Sequence, residues 1–341
     1  MNFLNWPHDY AELAPLLRLW GIQASRQLEW KCIPEGLSGT KIWCISHAEH
    51  NYCLRRWSAQ HPRTTQLRTI HHGIEHIWQA GLKIVPVPHK SLHGDSFVTH
   101  EGHLWELSPW LSGKPLTRDC SIELRRAAVE ALAAFHLSAA AFARTSNAPI
   151  CKPAPGLIRR REILERLLKN HHVELSQAVR SEPHSAIKVI QLQLLAQMEH
   201  KLPSAFVTVE KCAKTPLPLQ WCLRDVHPGN LLETNQQITG IVDFGAADFD
   251  SVAGDIARLL GGFEWDPTEF DQCLRVYTNL RAISSEEQRA IAAYHLGGLI
   301  AAAGNWMRWI SVERSARLDN TTQLRLEELL LQFERIDHWN M

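Results

Sequence analysis

An aspartate and an asparagine lie five residues apart in LRDVHPGNLL (223–232), and a second aspartate follows in IVDFG, at position 243. The residues between them predict a strand, a turn and a strand, and such a hairpin would bring Asn230 and Asp243 side by side. A carboxylate and an amide oxygen at one point are hard ligands suited to Mg²⁺. Asp225 would then lie where it can orient a hydroxyl or accept its proton. Phosphoryl transfer requires such an arrangement, because its catalysis is mostly positioning and charge neutralisation.

These segments resemble the aminoglycoside phosphotransferase/choline kinase family, which has a bilobal protein-kinase-like fold. Its members carry a His-x-Asp-x-x-x-x-Asn loop followed by Asp-Phe-Gly or a similar triplet. The resemblance implies that Asp225 is the catalytic base and that Asn230 and Asp243 are metal ligands. Leu223 stands where the family usually has histidine, and Arg224 where it often has glycine. The family histidine mainly supports the loop, so we expect its loss to alter packing rather than remove the reaction.

Asp255 lies further along the chain, in SVAGDIARLL, which matches a Gly-Asp element that precedes a helix in this family. The resemblance implies that Asp255 caps that helix and supports the amides of the catalytic loop, with Arg224 as a second structural residue. A helix cap alone is the alternative for Asp255. A polar loop with incidental acids is the alternative for the whole of 223–250, and the joint presence of two motifs disfavours it.

A glycine-containing loop and a cation on the next strand would hold the nucleotide. In EGLSGTKIW, Gly36, Ser38 and Gly39 would let backbone amides approach phosphate oxygens, although an ordinary hairpin turn is an equal alternative. The next strand, NYCLRRW, has CLR where the family has two apolar residues and a phosphate-pairing lysine, which selects Arg55. An arginine can clamp phosphate, but its planar fork is not equivalent to an ammonium group. A surface arginine is the alternative.

The glutamate that usually pairs with this cation is not evident. Glu75 is the only acid in the helical segment 66–82 and lies later than the family pattern would place it, so that role stays unassigned. The segment LWELSPWLSG (104–113) resembles the interlobe hinge. The resemblance implies that backbone groups from Ser108 to Trp110 hydrogen-bond the adenine of ATP.

Residues that bind the phosphate acceptor would lie in the helical half of the chain. Glu264 and Asp266, in the acidic segment FEWDPTEFDQ, would suit a cationic acceptor, and a solvated helix start is the alternative. Trp306 lies three residues before another tryptophan, with Arg308 between them. The two indoles would form an aromatic wall for a sugar or a quaternary ammonium group. Packing within the helix core is the alternative.

The elements that must position these residues form two groups. The first hundred residues alternate like strands around one helical segment, which predicts an antiparallel sheet with a single helix packed on it. Beyond it the pattern is mostly helical. The predicted fold is therefore α+β, bilobal and protein-kinase-like, with a small antiparallel-sheet N-terminal lobe and a larger helical C-terminal lobe. We expect the nucleotide-binding lobe at 1–107, the hinge at 108–116, and the catalytic and acceptor-binding lobe at 117–341.

Composition excludes several classes of protein. The 341 residues include 36 Lys and Arg and 36 Asp and Glu, so there is no basic field to attract nucleic acid or an anionic membrane. Eight cysteines without a C-x-x-C pair indicate reduced thiols in a cytoplasm. The N-terminus lacks a signal-peptide pattern, and the most apolar helical stretch (291–304) is too short to span a bilayer. His100 and His103 are interpreted as hairpin residues rather than as a metal site.

The sequence therefore predicts a cytoplasmic phosphotransferase that uses ATP and Mg²⁺ to phosphorylate a hydroxyl of an amino sugar, aminoglycoside, amino alcohol or sugar. The alternative is a catalytically silent kinase-like protein that binds a nucleotide or ligand. Leu223, Arg55 and the missing helix glutamate favour that alternative. A protein kinase is a weaker interpretation, because no Ala-Pro-Glu activation segment is recognisable. The sequence does not identify the acceptor, the preference for ATP or GTP, or the oligomeric state.

Overall fold

A computed structural model of the chain describes residues 9–23, 28–33, 39–142, 150–264 and 267–335. Its contacts divide the chain into two compact units. The first, which we call the N-terminal unit, consists of Met1–Leu116 and Gly229–Ala246. The second, the C-terminal unit, consists of Thr117–Pro228 and Ala247–Met341.

In chain order, the helices and strands are α1 (Asp9–Leu17), β1 (Glu29–Ile33), β2 (Lys41–His47), β3 (His50–Arg56), α2 (Thr64–Gln79), β4 (Val98–His100), β5 (His103–Pro109), β6 (Lys114–Pro115), α3 (Ile122–Ala139), β7 (Ile150–Pro153), α4 (Pro155–Arg166), α5 (His172–Ser181), α6 (Ala186–Lys214), β8 (Pro216–Cys222), β9 (Leu231–Thr234), β10 (Gln237–Ile241), β11 (Asp248–Asp250), α7 (Val252–Gly261), α8 (Pro267–Leu280), α9 (Ser285–Met307) and α10 (Asn320–Glu334).

A five-stranded antiparallel sheet, ordered β1-β2-β3-β5-β4, forms the main layer of the N-terminal unit. Side chains alternate between its two faces, and one face carries the apolar residues Trp43, Leu54 and Trp105. These pack in one core with Leu13 and Leu17 of α1. The sequence analysis did not anticipate α1.

The single main helix and the β4–β5 hairpin agree with the sequence analysis. Helix α2 (Thr64–Gln79) occupies most of the predicted segment 66–82, and its apolar residues are buried at helical spacing. In the hairpin, Glu101 and Gly102 have φ values of 48° and 76°, as a two-residue type I′ turn requires. His100 and His103 form the pair next to this turn, so the predicted hairpin is confirmed.

The second sheet of the N-terminal unit has the order β10-β9-β6. Strand β6 pairs with β9, and Lys114 Nζ lies 3.0 Å from the Glu233 carboxylate. This pairing groups residues 229–246 with the N-terminal unit, although they follow a long helical segment. The lobe boundaries at 107 and 116 stay predictions.

The C-terminal unit is mostly helical, with one three-stranded sheet of order β11-β8-β7. Ser284 and Glu287 form a capping box at the start of α9, as the Ser-Ser-Glu-Glu sequence indicates. Within the described ranges, membrane-spanning length and apolarity are not combined in any helix. An antiparallel sheet with one main helix and a mostly helical remainder confirms the predicted fold class.

Candidate functional site

The two expected metal ligands lie at the open end of the β9–β10 hairpin. Leu231 pairs with Ile241, and one step further the Val242 N–H donates to the Asn230 carbonyl at 2.9 Å. Asn230 and Asp243 therefore lie on neighbouring segments at the same end of the hairpin. Asn230 is 9% exposed, whereas the side chain of Asp243 is 53% exposed. One ligand group is thus fixed by burial and the other is open to solvent.

The backbone at the Asp-Phe-Gly segment has an unusual shape. Asp243 has a φ of 63°, in the left-handed region that costs a residue with a Cβ about 1–2 kcal/mol. A Cβ added to Gly245 would lie 3.1 Å from the indole of Trp57, so the backbone approaches that ring closely. Strained backbone persists where surrounding contacts fix it, and it clusters at functional sites.

Arg55, on β3, is mostly buried and has two carboxylate neighbours. Its Nη1 lies 3.6 Å from Asp243 Oδ1 and its Nε lies 3.7 Å from Glu106 Oε1, with 12% of the side chain exposed. The guanidinium also lies 4.7 Å from the centre of the Trp57 ring, in the range of a cation–π contact. Burial opposes its charge, but Glu106, Cys53 and Asp243 together outweigh burial and raise the pKa of Arg55. The surface-arginine alternative is therefore wrong.

The carboxylate partner of Arg55 comes from a strand rather than from the helix. Arg55 pairs with Glu106 of β5 across the sheet, and Glu106 Oε2 lies 2.7 Å from His71 Nε2 of α2. Glu75, the only acid of α2, lies 3.9 Å from Lys90 instead. Sequence reasoning missed both Glu106 and His71. The available signal was a lone glutamate in the otherwise apolar stretch of LWELS.

The structure describes only part of the expected nucleotide-binding segments. Gly36 and Ser38 lie outside the described residues. Gly39 is described and has a φ of 68°, which glycine adopts without strain. In the hinge segment, Ser108 is 5% exposed, and the Trp110 N–H donates to the Asn51 carbonyl at 2.9 Å. That amide is already engaged, so adenine would need other backbone groups here.

Asp225, in the C-terminal unit, is held by an arginine that the sequence analysis did not identify. Arg258 of α7 donates from Nε and Nη2 to Asp225 Oδ1 at 3.2 and 3.0 Å, and about half of each side chain is exposed. The preceding residue, Arg224, has a φ of 65° and lies 3.4 Å from Asp248 and 3.6 Å from Asp250. The candidate base thus follows a strained residue anchored by ion pairs.

Asp255 supports the catalytic loop from inside α7. Its Oδ2 accepts from the Leu223 N–H at 2.7 Å, and its Oδ1 accepts from the Arg224 N–H at 2.6 Å. The side chain is fully buried. The N-cap of α7 is Ser251, whose hydroxyl accepts from the Ala253 N–H at 3.3 Å. The helix-cap interpretation of Asp255 is therefore wrong, because the carboxylate lies within the first turn and faces the loop.

A buried histidine completes this support. His136 of α3 lies 3.1 Å from Asp255 through Nε2 and 2.7 Å from the Tyr277 hydroxyl through Nδ1. Burial lowers the pKa of His136, so the imidazole is neutral. An ionised carboxylate only accepts, so Nε2 carries the proton and Tyr277 donates to Nδ1.

Cys222, His136 and Asp255 are close enough together to hold a metal ion. Both oxygens of Asp255 already accept backbone N–H groups. The Cys222 thiol donates to the Asp250 carbonyl at 3.3 Å, and burial raises its pKa well above the usual range. This cluster is therefore interpreted as an internal hydrogen-bond network.

The expected acceptor residues have separate surroundings. The Glu264 carbonyl accepts from Arg125, and Asp266 lies outside the described residues. Trp306 lies edge-on to Trp309, with ring centres 5.4 Å apart. Arg308 pairs with Glu313 at 3.0 Å. The edge-on contact fits the packing alternative for the tryptophans, and among the described residues no hydrogen bond or ion pair joins Glu264, Trp306 and Arg308.

The chain is similar to known phosphotransferases in both sequence and fold. The family model described as "Phosphotransferase enzyme family" matches residues 29–291. Spectinomycin phosphotransferase, solved with ADP and spectinomycin, has a TM-score of 0.67 and 14% identity over 96% of this chain and 97% of its own. An aminoglycoside phosphotransferase from Alicyclobacillus acidocaldarius has a TM-score of 0.64 and 17% identity over 95% and 92%. Amicoumacin kinase, solved with AMP-PNP and Ca²⁺, has a TM-score of 0.61 and 14% identity over 96% and 93%.

No curated protein matches the chain significantly by sequence. At such identities the solved structures establish a shared kinase-like fold, and they agree with the resemblance carried by RDVHPGNLL and IVDFG. The family model covers well over half of the chain. The chain belongs to the phosphotransferase enzyme family.

Proposed function

We propose that this protein transfers the γ-phosphate of ATP, with Mg²⁺, to a hydroxyl of a small molecule. The observation that carries the proposal is that Asn230 and Asp243 lie on neighbouring segments at the same end of the β9–β10 hairpin, with Arg55 3.6 Å from the Asp243 carboxylate. An amide and a carboxylate oxygen suit Mg²⁺, and a guanidinium suits phosphate. Solved relatives bound to ADP, or to AMP-PNP with Ca²⁺, support the nucleotide assignment.

The residues present fit both groups. Asn230 and Asp243 would hold the metal ion, which supplies neutralisation of phosphate charge when bound. Among the described residues, Arg55 Nε has no hydrogen-bond partner, and its Nη1 lies beyond hydrogen-bond distance from Asp243. Nε faces Glu106, and a guanidinium carries further N–H donors in a planar fork, from which phosphate oxygens would accept. Gly36, Ser38 and Gly39 are proposed to supply backbone amides, and the segment from Ser108 to Trp110 to receive adenine.

Asp225 is proposed as the base that orients the acceptor hydroxyl and accepts its proton. The double hydrogen bond from Arg258 to one carboxylate oxygen restricts rotation of the Asp225 side chain. Asp255 accepts hydrogen bonds from the N–H groups of Leu223 and Arg224, the two residues before Asp225, and so holds this segment in place. Correct orientation of a general base matters as much as its basicity.

The acceptor is proposed to be an amino sugar, aminoglycoside, amino alcohol or sugar. The solved relatives support this range, since they include kinases of spectinomycin and amicoumacin. Glu264, Asp266, Trp306 and Arg308 remain proposed contacts to it. Glu264 and Arg308 have other partners in the structure, which makes them weaker assignments than Asp225.

A phosphorylation screen with a metabolite and antibiotic library tests the proposal, with Asp225→Asn as the inactive variant. We expect Asp225→Asn to bind AMP-PNP as the wild type does and to lose about 100-fold or more of turnover. Asp95→Asn is the matched control, because Asp95 is also half-exposed and paired with an arginine. Unchanged turnover in Asp225→Asn would reject its role as base. Nucleotide binding without transfer to any acceptor would favour the silent alternative.

A further inference from the structure

A buried polar cluster joins α2, β3 and β5 within the N-terminal unit. Glu106 lies at its centre and is 7% exposed. Its Oε2 accepts from Trp57 Nε1 at 3.0 Å and lies 2.7 Å from His71 Nε2, while its Oε1 faces Arg55 Nε. The Ser96 hydroxyl lies 2.8 Å from the other ring nitrogen of His71. Each polar side chain of the cluster is thus oriented by another.

The cluster keeps the Glu106 carboxylate ionised beside the positively charged guanidinium of Arg55. Burial opposes ionisation of Glu106, but the hydrogen bond from His71 and the nearby charges outweigh it and lower the pKa of the carboxyl group. A buried carboxylate is stable only when paired and hydrogen-bonded, and Glu106 has both kinds of partner. Neutralising Glu106 would leave Asp243 as the one ionised carboxylate within 4 Å of Arg55 among the described residues.

We propose that Glu106 is the positioning residue that holds Arg55 for the nucleotide phosphates, and that His71 connects α2 to this pair in place of a helix glutamate. The inference deepens the proposed function and rests on it, since it requires Arg55 to contact phosphate. Glu106 stands directly across the sheet from Arg55, so strand register fixes their separation. A shift of α2 would then change the position of Arg55 through the contacts of His71 with Glu106 and of Glu106 with Arg55.

Titration calorimetry with AMP-PNP and Mg²⁺ tests this without a known acceptor. Glu106→Gln keeps the size of the side chain and removes its charge, and we expect binding about 10- to 100-fold weaker. His71→Leu should weaken binding in the same direction. His71→Gln should stay within about threefold of the wild type, because its amide nitrogen can take the place of Nε2.

Two matched controls separate this role from general packing. Glu75→Gln removes the only acid of α2, and Glu233→Gln neutralises another buried glutamate of the same unit. Both should bind AMP-PNP within about twofold of the wild type, because the partners of these glutamates are Lys90, Lys114 and the Gln236 N–H rather than Arg55 or His71. Circular dichroism melting of each variant shows whether it is folded at the assay temperature.

The decisive readout is a double-mutant cycle with Arg55→Met. If Glu106 acts through Arg55, the double variant should bind no more than about twofold more weakly than Arg55→Met alone. Additive losses, or a Glu106→Gln protein that binds like the wild type while Arg55→Met does not, would overturn the inference and leave the proposed function intact. A wild-type chain that does not bind AMP-PNP would overturn both.

Discussion

Asp255→Asn tests how firmly the catalytic loop is held. In the wild type, Oδ1 accepts from the Arg224 N–H, and Oδ2 accepts from the Leu223 N–H and from His136. Asparagine has the same shape but offers one oxygen and one NH₂ group, which faces a donor whichever way the amide turns. One buried N–H then loses its partner at about 1–3 kcal/mol, and the remaining bonds lose charge assistance worth about 1 kcal/mol.

The expected cost is therefore about 2–4 kcal/mol of local stability at residues 223–224. Since 1.4 kcal/mol is a factor of ten, their amide hydrogens should exchange about 30- to 700-fold faster than in the wild type. Hydrogen–deuterium exchange of peptides that cover β8 and the catalytic loop measures this directly. The φ of Arg224, 65°, should increase the exchange further, because the loop loses backbone strain when it leaves this conformation.

Ser251→Ala is the matched control for this experiment. It removes the N-cap oxygen of the same helix and costs about 0.5–2 kcal/mol, but it leaves both loop bonds in place. Exchange at 223–224 should then change little. If Asp255→Asn lowers overall stability while the protection of these two amides is unchanged, Asp255 is a packing residue and its assignment as the support of the loop is wrong.

Two further predictions concern stability. Burial and the charge of Arg258 lower the pKa of His295 to about 3, whereas the imidazole of the unfolded chain is protonated near pH 6.5. Between these values the unfolded chain binds a proton that the folded protein does not. The free energy of unfolding should therefore fall as pH drops from 6.5 towards 3, by roughly 4 kcal/mol from this group. Urea titrations at several pH values should show that His295→Gln loses less unfolding free energy between pH 6.5 and 3 than the wild type or the exposed control His184→Gln. Equal losses would contradict this. Arg224→Gly should change the free energy of unfolding by less than about 1 kcal/mol, because glycine relieves about 1–2 kcal/mol of backbone strain. The change removes an exposed ion pair with Asp248 and an ion pair with Asp250, whose buried carboxylate keeps its hydrogen bonds from Tyr294 and from the Gly156 and Ser251 amides. A loss above about 2 kcal/mol in urea would show that the ion pairs dominate.

Local sequence patterns predicted the elements that carry the site. The β4–β5 hairpin, α2 and the β9–β10 hairpin each depend on residues close together in the chain. Turn chemistry, capping and apolar periodicity act over such short distances. The neighbouring positions of Asn230 and Asp243 could therefore be inferred from spacing alone.

Contacts between distant segments were not predictable in the same way. Glu106 lies near Arg55 only because β5 pairs with β3. The local sequence of neither strand determines which strands pair. The grouping of residues 229–246 with the N-terminal unit follows from the pairing of β6 with β9, whereas a linear boundary assigns them to the other lobe. Asp255 was expected before a helix as its cap, whereas it lies within α7, and its direction depends on the loop that folds against it.

The same reasoning bears on the silent-protein alternative, which drew its support from residues missing at motif positions. Arg55 has no helix glutamate, yet it has a buried strand glutamate that a helix histidine orients. Leu223 replaces the loop histidine, yet His136 of α3 contacts the carboxylate that holds this loop. In each unit, a neighbouring element supplies the polar group that the motif lacks. A motif comparison counts these positions as losses, but hydrogen bonding depends on where an atom lies in space rather than on which residue carries it. The departures at Leu223 and Arg55 therefore weigh less against catalysis than the sequence alone indicates.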